Sequence, residues 1–208
     1  FLFAVGNALA FVMPRMEAAG DAVFWKKILK RTIIIFLIGL FLNWWPFVRW
    51  QDGNLAFIHW VNPVDPTKGV RILGVLQRIA LCYFFAAILI YYLKPVKIFY
   101  AALVILLLYW MFCYTGNPVD PYSLNGWFGT EIDKKILHVP HIYKGEGIPF
   151  EPEGLMSTLP AIVQVIFGYL VGDYIQKKAR TQEKMIDTGQ GKHYEMVAGL
   201  FIAGVAML

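Results

Sequence analysis

Charge is what this sequence has least of. Only 16% of its 208 residues are Asp, Glu, Lys or Arg, against about a quarter in an ordinary soluble domain, while 58% are apolar. That imbalance excludes a disordered chain and argues against a water-soluble single domain. Cysteine is nearly missing: Cys82 and Cys113 both lie inside apolar runs, which argues against a disulfide framework and leaves the compartment open. Also missing are a Gly-rich phosphate loop, a Ser nucleophile elbow and a His-Glu-x-x-His zinc helix. His138-Val-Pro-His141 offers ligand types with no helix to hold them, so no metal is expected.

What is abundant is apolar and aromatic. Sixteen Phe, eleven Tyr and seven Trp suit hydrocarbon and its interfaces. Four complete apolar segments, about Ile28–Phe47, Ile72–Leu93, Ile98–Tyr114 and Gly154–Ile175, each fall within the roughly 17–25 residues of a spanning helix. Backbone groups in lipid must bond internally, and no ten-residue alternation marks a barrel, so the spans are expected to be helices. Phe1–Met13 and Tyr194–Leu208 are apolar but short, and are expected to be truncated helices of a longer protein. Phe1–Met13 has no basic region before it, so it gives no signal-peptide pattern. The expected fold is all-α, a polytopic transmembrane helix bundle of about six spans, with 1–208 forming a single transmembrane domain fragment.

The connecting segments alternate in charge. Residues 14–31, 94–97 and 176–193 together carry 12 Lys and Arg against four acids; residues 48–71 and 115–153 carry six against eight. By the positive-inside rule the first set is expected to be cytoplasmic and the second to be outer loops. The net charge of +5 then reflects topology and anionic lipid heads, and no nucleic-acid partner is expected. Trp44, Trp45, Trp50 and Trp60 cluster at the outer boundary as an aromatic belt would. The outer loops are long, show no strong secondary-structure signal, and each contains Asn-Pro-Val-Asp-Pro, at 62–66 and 117–121, which predicts a rigid turn in both.

Arg78 is the sharpest chemical feature. It stands seven residues past Arg71, just before an uninterrupted apolar run. Arg71, Gly74 and Arg78 are expected to share one helix face, with Gly74 giving room between the two guanidinium groups and Arg78 about 10 Å deeper. An Arg at that depth costs several kcal/mol unless it meets water, protein or an anion. A structural ion pair, a carbonyl clamp or snorkelling would meet that need; so would the wall of a cavity for phosphate or carboxylate. The second feature is Glu151-Pro-Glu153-Gly154 followed by Ser157, Thr158 and Pro160. Acids at a helix start are favoured by the dipole alone, yet Glu153 at the mouth of a bundle could also hold an amine or sugar hydroxyls. His59, His138 and His141 are in the outer loops, where His is more often a surface residue than a general base; His141 with Tyr143 and Asp133 could belong to a sugar-contacting loop.

Arg71-Ile-Leu-Gly-Val-Leu-Gln-Arg-Ile-Ala80 and Glu151-Pro-Glu-Gly-Leu-Met-Ser-Thr-Leu-Pro-Ala-Ile162 resemble signature stretches of the heparan-α-glucosaminide N-acetyltransferase family and its bacterial homologues. Phe1-Leu-Phe-Ala-Val-Gly6 is similar to an early helix of that family, and Ile132–His138 through Tyr143 to its outer loop, in the same order. The resemblance implies transfer of an acetyl group from cytoplasmic acetyl-CoA, as co-substrate, to an amino sugar or glycan across the membrane. It implies that Arg78 lines the acyl-CoA pocket and that Glu153 lies near the acceptor; Arg71 and Gln77 are expected beside Arg78 as acyl-CoA-binding candidates, and Asp133 and His141 beside Glu153 as acceptor-binding candidates. The family's catalytic His would lie upstream of Phe1, so the catalytic residue stays unknown and that role is not carried to His59, His138 or His141. Glu151 stands where Asp is usual in the motif, a change that keeps the charge.

The expectation is therefore a multi-pass acyltransferase of a bacterial cytoplasmic (inner) membrane, with a homo-oligomer left open. Its rival is a transporter or channel for an anionic solute, with Arg78 on the pathway; the sequence shows no inverted repeat or paired broken helices to favour it. A structural, partner-binding membrane subunit is the third alternative.

Overall fold

A computed structural model of the chain describes residues 1–51, 53–145 and 147–187. It is mostly helical: α1 (Leu2–Ala19), α2 (Asp21–Trp44), α3 (Val75–Tyr92), α4 (Pro95–Gly116), the short α5 (Gly129–Leu137) and α6 (Leu155–Asp187). A small hairpin pairs β1 (Val48–Gln51) with β2 (Asn54–Phe57), and one 3-10 turn covers Val139–His141. Among the described residues three helical stretches are long and apolar enough to cross a membrane: Val75–Tyr92, Pro95–Gly116 and Leu155–Gln182. They answer to three of the four complete spans expected. The fourth, at 28–47, falls in α2, where Lys26, Lys27, Lys30 and Arg31 leave only Thr32–Trp44 free of charge. The expected last partial span, Tyr194–Leu208, lies outside the described residues.

Two segments expected as loops are helical. Residues 14–31 form the end of α1, running through Pro14, and the start of α2, with a single corner at Gly20 (φ 84°). Residues 176–187 continue α6. Lys, Arg, Glu and Gln are good helix formers, so a charged stretch can leave the apolar region without unwinding. The turn expected at 94–97 is shorter than that: only Leu93 and Lys94 separate α3 from α4, and Pro95 takes the first helical position of α4, where its missing N–H costs nothing.

The bundle is held by close backbone approach. Phe3 and Asn7 of α1 lie against Gly168 and Gly172 of α6, and Gly6 lies against Val165. A Cβ added at Gly168 would come within 2.0 Å of the Phe3 carbonyl oxygen, so only Gly permits this spacing. Small residues one turn apart bring helices into contact where lipid supplies no hydrophobic drive. Behind that seam Met13, Phe24, Ile28, Ala86, Ala87, Ile90, Ile98 and Ile166 form a continuous buried core. Cys82 and Cys113 are both free and buried.

At the end where α2 stops, α3 begins, α4 stops and α6 begins, the two long connections build a cap. Their hairpin, α5 and 3-10 turn are structure the sequence reading did not anticipate. The halves of the cap are stitched together: Ile72 N–H donates to the His141 carbonyl (3.1 Å), and Trp60 lies 4.8 Å from the His141 ring. Both Asn-Pro-Val-Asp-Pro copies are turns in which the Asn side chain accepts from the backbone ahead. Asn62 Oδ1 takes Val64 N–H (2.9 Å), and Asn117 Oδ1 takes Asp120 N–H (3.3 Å).

Candidate functional site

The mouth of the bundle under this cap gathers most of the chemistry. Arg71 ends the first long connection, and its guanidinium is forked between Glu151 and Glu153, with Nε donating to Glu151 Oε2 at 3.1 Å and Nη2 contacting both acids. The Tyr143 ring lies 4.9 Å from its guanidinium carbon. Glu151 has no exposed side chain and also accepts the Tyr143 N–H (3.3 Å) and Glu153 N–H (3.4 Å). Burial pushes the Glu151 carboxyl up from its ordinary range, and the Arg71 guanidinium offsets part of that. Burial pulls Arg71 down, but the two carboxylates outweigh it and its net shift is upward.

The expected shared face of Arg71, Gly74 and Arg78 is not formed. Gly74 is extended (φ −166°, ψ −173°), and α3 starts only at Val75. Arg78 is thus the fourth residue of a helix rather than the eighth, within the first turn and near the capped end. Arg71 belongs to the cap. The cause is packing: Gly74 is pressed between the Gln77 and Asn43 side chains, and Asn43 Nδ2 donates to the Arg71 carbonyl at 3.0 Å.

Arg78 takes a different route to satisfaction. Nη2 donates to the Ser157 carbonyl (3.1 Å) and Nη1 more weakly to the Pro152 carbonyl (3.4 Å), while Nε is buried without a partner. Among the described residues no carboxylate pairs with it. Beside it opens a hollow of about 340 Å³, bounded by Phe1 and Leu2 at the start of α1, Val75 and Ile79 of α3, and Glu153 and Gln164 of the α6 region. So Arg78 is both clamped by carbonyls and free, in charge, to face an anion. On the far side of Pro152 and Ser157 lies a second cleft of about 370 Å³, walled by Tyr109, Tyr122, Trp127 and Phe150.

The other expected site residues divide. Glu153 does border the Arg78 hollow, though Arg71 already holds it. Gln77 does not border it: one residue away on the helix it turns about 100° and packs against Gly39 of α2 instead. Asp133 is fully buried, and its Oδ1 accepts the Leu155 N–H (2.9 Å), capping the start of α6 from α5. Burial raises its carboxyl to about 6, with the nearby Glu151 charge adding to that and the Leu155 bond opposing it. His141 is also buried, Nδ1 against the Val70 carbonyl at 2.6 Å. Asp133 and His141 therefore hold the cap together and line neither hollow. Exposed His59 and His138 stand apart from both.

Sequence reading missed Glu151 as the counter-ion of Arg71, the carbonyls that clamp Arg78, and Gln164. Gln164 carried a legible signal, a lone amide inside an apolar span. The carbonyls carried none, since any residue supplies one. Among the described residues no cluster of His, Cys, Asp and Glu has the makings of a metal site. No family model matches the chain, and no curated protein sequence matches it either. The site is thus defined by its own geometry: a carbonyl-clamped arginine with no carboxylate partner among the described residues, between a polar hollow and an aromatic cleft, at the capped end of a helical, membrane-type bundle.

Proposed function

We propose that this chain is part of a multi-pass membrane acyltransferase of the heparan-α-glucosaminide N-acetyltransferase type, moving an acetyl group from acetyl-CoA to an extracytoplasmic amino sugar or glycan. The observation that carries the proposal is Arg78, a guanidinium with two carbonyl bonds, no carboxylate partner among the described residues and an open hollow beside it. A permanent cation so placed suits a CoA phosphate or the oxyanion that develops on a thioester carbonyl. The two motif-like stretches meet physically there, since Arg78 from the first bonds Pro152 and Ser157 of the second.

In the proposed reaction the acceptor amine attacks the thioester carbonyl carbon. A C–N bond forms, the C–S bond breaks, and the amine proton leaves through a base to the departing thiolate, giving an acetamide and free CoA. Arg78 stabilises negative charge on the carbonyl oxygen or on the donor. The aromatic cleft beyond Ser157 suits the apolar face of a sugar ring better than do the buried Asp133 and His141. Six spans, with α1 and α2 both crossing and the basic segments cytoplasmic, belong to the same proposal, as does a bacterial inner membrane.

The test is acetyl transfer by the full-length protein in proteoliposomes, with labelled acetyl-CoA on one side and a glucosamine-ended acceptor on the other. Arg78→Ala is expected to slow transfer by about 100-fold or more, the loss seen when an oxyanion donor is removed. Equal rates in parent and variant would overturn the role of Arg78. Passage of an anionic solute with no acetylated product would favour the transporter instead.

A further inference from the structure

The hairpin of the first outer connection has no part in the proposed chemistry, and its two faces differ sharply. Cross-strand pairs Val48↔Phe57 and Trp50↔Leu55 alternate with Arg49↔Ala56 and Gln51↔Asn54. Side chains on a strand point alternately to opposite faces, so Val48, Trp50, Leu55 and Phe57 share one face and Arg49 and Ala56 the other. The apolar face is uncovered: Trp50 is 71% exposed, Leu55 66% and Phe57 73%. An isolated two-stranded hairpin is marginal in water, and one that turns such a face outward calls for a cover.

Its level in the molecule is fixed at both ends. The hairpin follows the end of α2 at Trp44 after three residues, and Trp44 Nε1 donates to the Ile58 carbonyl (2.8 Å), tying the far end of β2 back to the same place. Asn43 bonds the Arg71 carbonyl, which sets the end of α2 level with the start of the membrane-type helix α3. On α2 and just past its end Ile34, Leu37, Ile38, Phe41 and Trp45 are exposed as well. Phe41, Trp45 and Phe47 contact one another ring to ring along that passage, with centroids 5.3–5.9 Å apart.

We propose that the hairpin is an interfacial anchor: its Trp50, Leu55 and Phe57 face lies in the headgroup–acyl boundary of the outer leaflet, with Arg49 turned toward water. The partner is the lipid surface itself. Trp is the side chain most at home in that boundary. The unpaired outer edges of a two-stranded ribbon forbid deeper burial, because hydrocarbon offers their N–H and C=O groups no partner. The anchor holds the cap over the mouth of the bundle independently of what reacts there.

The test is nitroxide scanning of the full-length protein in liposomes at Arg49→Cys, Trp50→Cys, Leu55→Cys, Ala56→Cys and Phe57→Cys, the parent with buried Cys82 and Cys113 giving the background. Labels at 50, 55 and 57 are expected to relax faster with oxygen than with a water-soluble nickel chelate, and labels at 49 and 56 the reverse. As a second readout, lipid brominated near the headgroup should quench emission of the unlabelled protein, and less so after Trp50→Phe. Equal exposure to the chelate at all five positions would overturn the anchor. So would labels at 50 and 55 shielded from both reagents, the mark of a second copy or another protein on this face.

Discussion

Arg71 and Arg78 are seven residues apart, sit at the same end of the bundle, and are opposites in every respect that matters for chemistry. Arg71 is surrounded: two carboxylates and a Tyr ring occupy its guanidinium, and one of those carboxylates, Glu151, is fully buried. Arg78 has only carbonyls, which satisfy hydrogen bonding without cancelling charge, and it borders open space. Neutralisation makes one arginine a structural post, and the lack of it leaves the other available to a ligand. The same division separates Glu151, sealed in the post, from Glu153, whose edge reaches the hollow.

The most forceful way to break this contrast is Arg71→Ala. It leaves Glu151 buried beside no cation, and loss of one member of a buried pair costs about 3–5 kcal/mol. Since Arg71 retains some exposure, about 3 kcal/mol is expected, read as a lowered unfolding transition in detergent. Adding Glu151→Gln should recover part of it, because the uncompensated charge is then gone. A milder loss, about 1 kcal/mol, is expected for Asp133→Ala, which removes the cap on the Leu155 N–H. Asp133→Asn keeps an acceptor and should stay close to the parent below about pH 4, where both side chains are neutral.

Arg78→Ala is expected to shift stability by less than about 1 kcal/mol, since it gives up one good and one weak carbonyl bond and relieves a buried, unpartnered Nε. A large stability loss here, or a small one at Arg71, would collapse the distinction between post and ligand site. The finest test is pH. The Asp133 carboxyl is raised in the fold to about 6 from an ordinary 3.8, so the folded state holds a proton that the unfolded state releases. Its contribution is present in full below the ordinary value and is lost as pH rises through about 6. The parent should therefore gain stability relative to Asp133→Asn between about pH 7 and about pH 4.

Some of this was legible beforehand and some was not. The stretches around α3, α4 and α6 announced themselves by apolar length alone, and Arg78 by being charged at the edge of such a stretch. The hairpin had a readable signal that went unused: Asp52-Gly53 flanked by alternating apolar residues, with Gly53 at φ 80°. Helix α5 was harder, being nine residues long and polar overall. Gln77 was misplaced because sequence neighbours on a helix point about 100° apart, and only the position of α2 says which of them meets the hollow. Asp133 and His141 have the residue types of a sugar site, but burial commits both to the cap.

The sequence by itself determined a chain dominated by helices with stretches fit for lipid, since too little charge and too much apolar length leave backbone groups no other partner than themselves. It also determined that rigid turns stand at both Asn-Pro-Val-Asp-Pro copies, because Pro and Asn impose them locally. Which arginine is spent and which is free was decided by the tertiary structure alone. Arg71 meets Glu151 across 80 residues of chain, and nothing local to either residue tells whether a charge will find its counter-charge or be left facing a hollow.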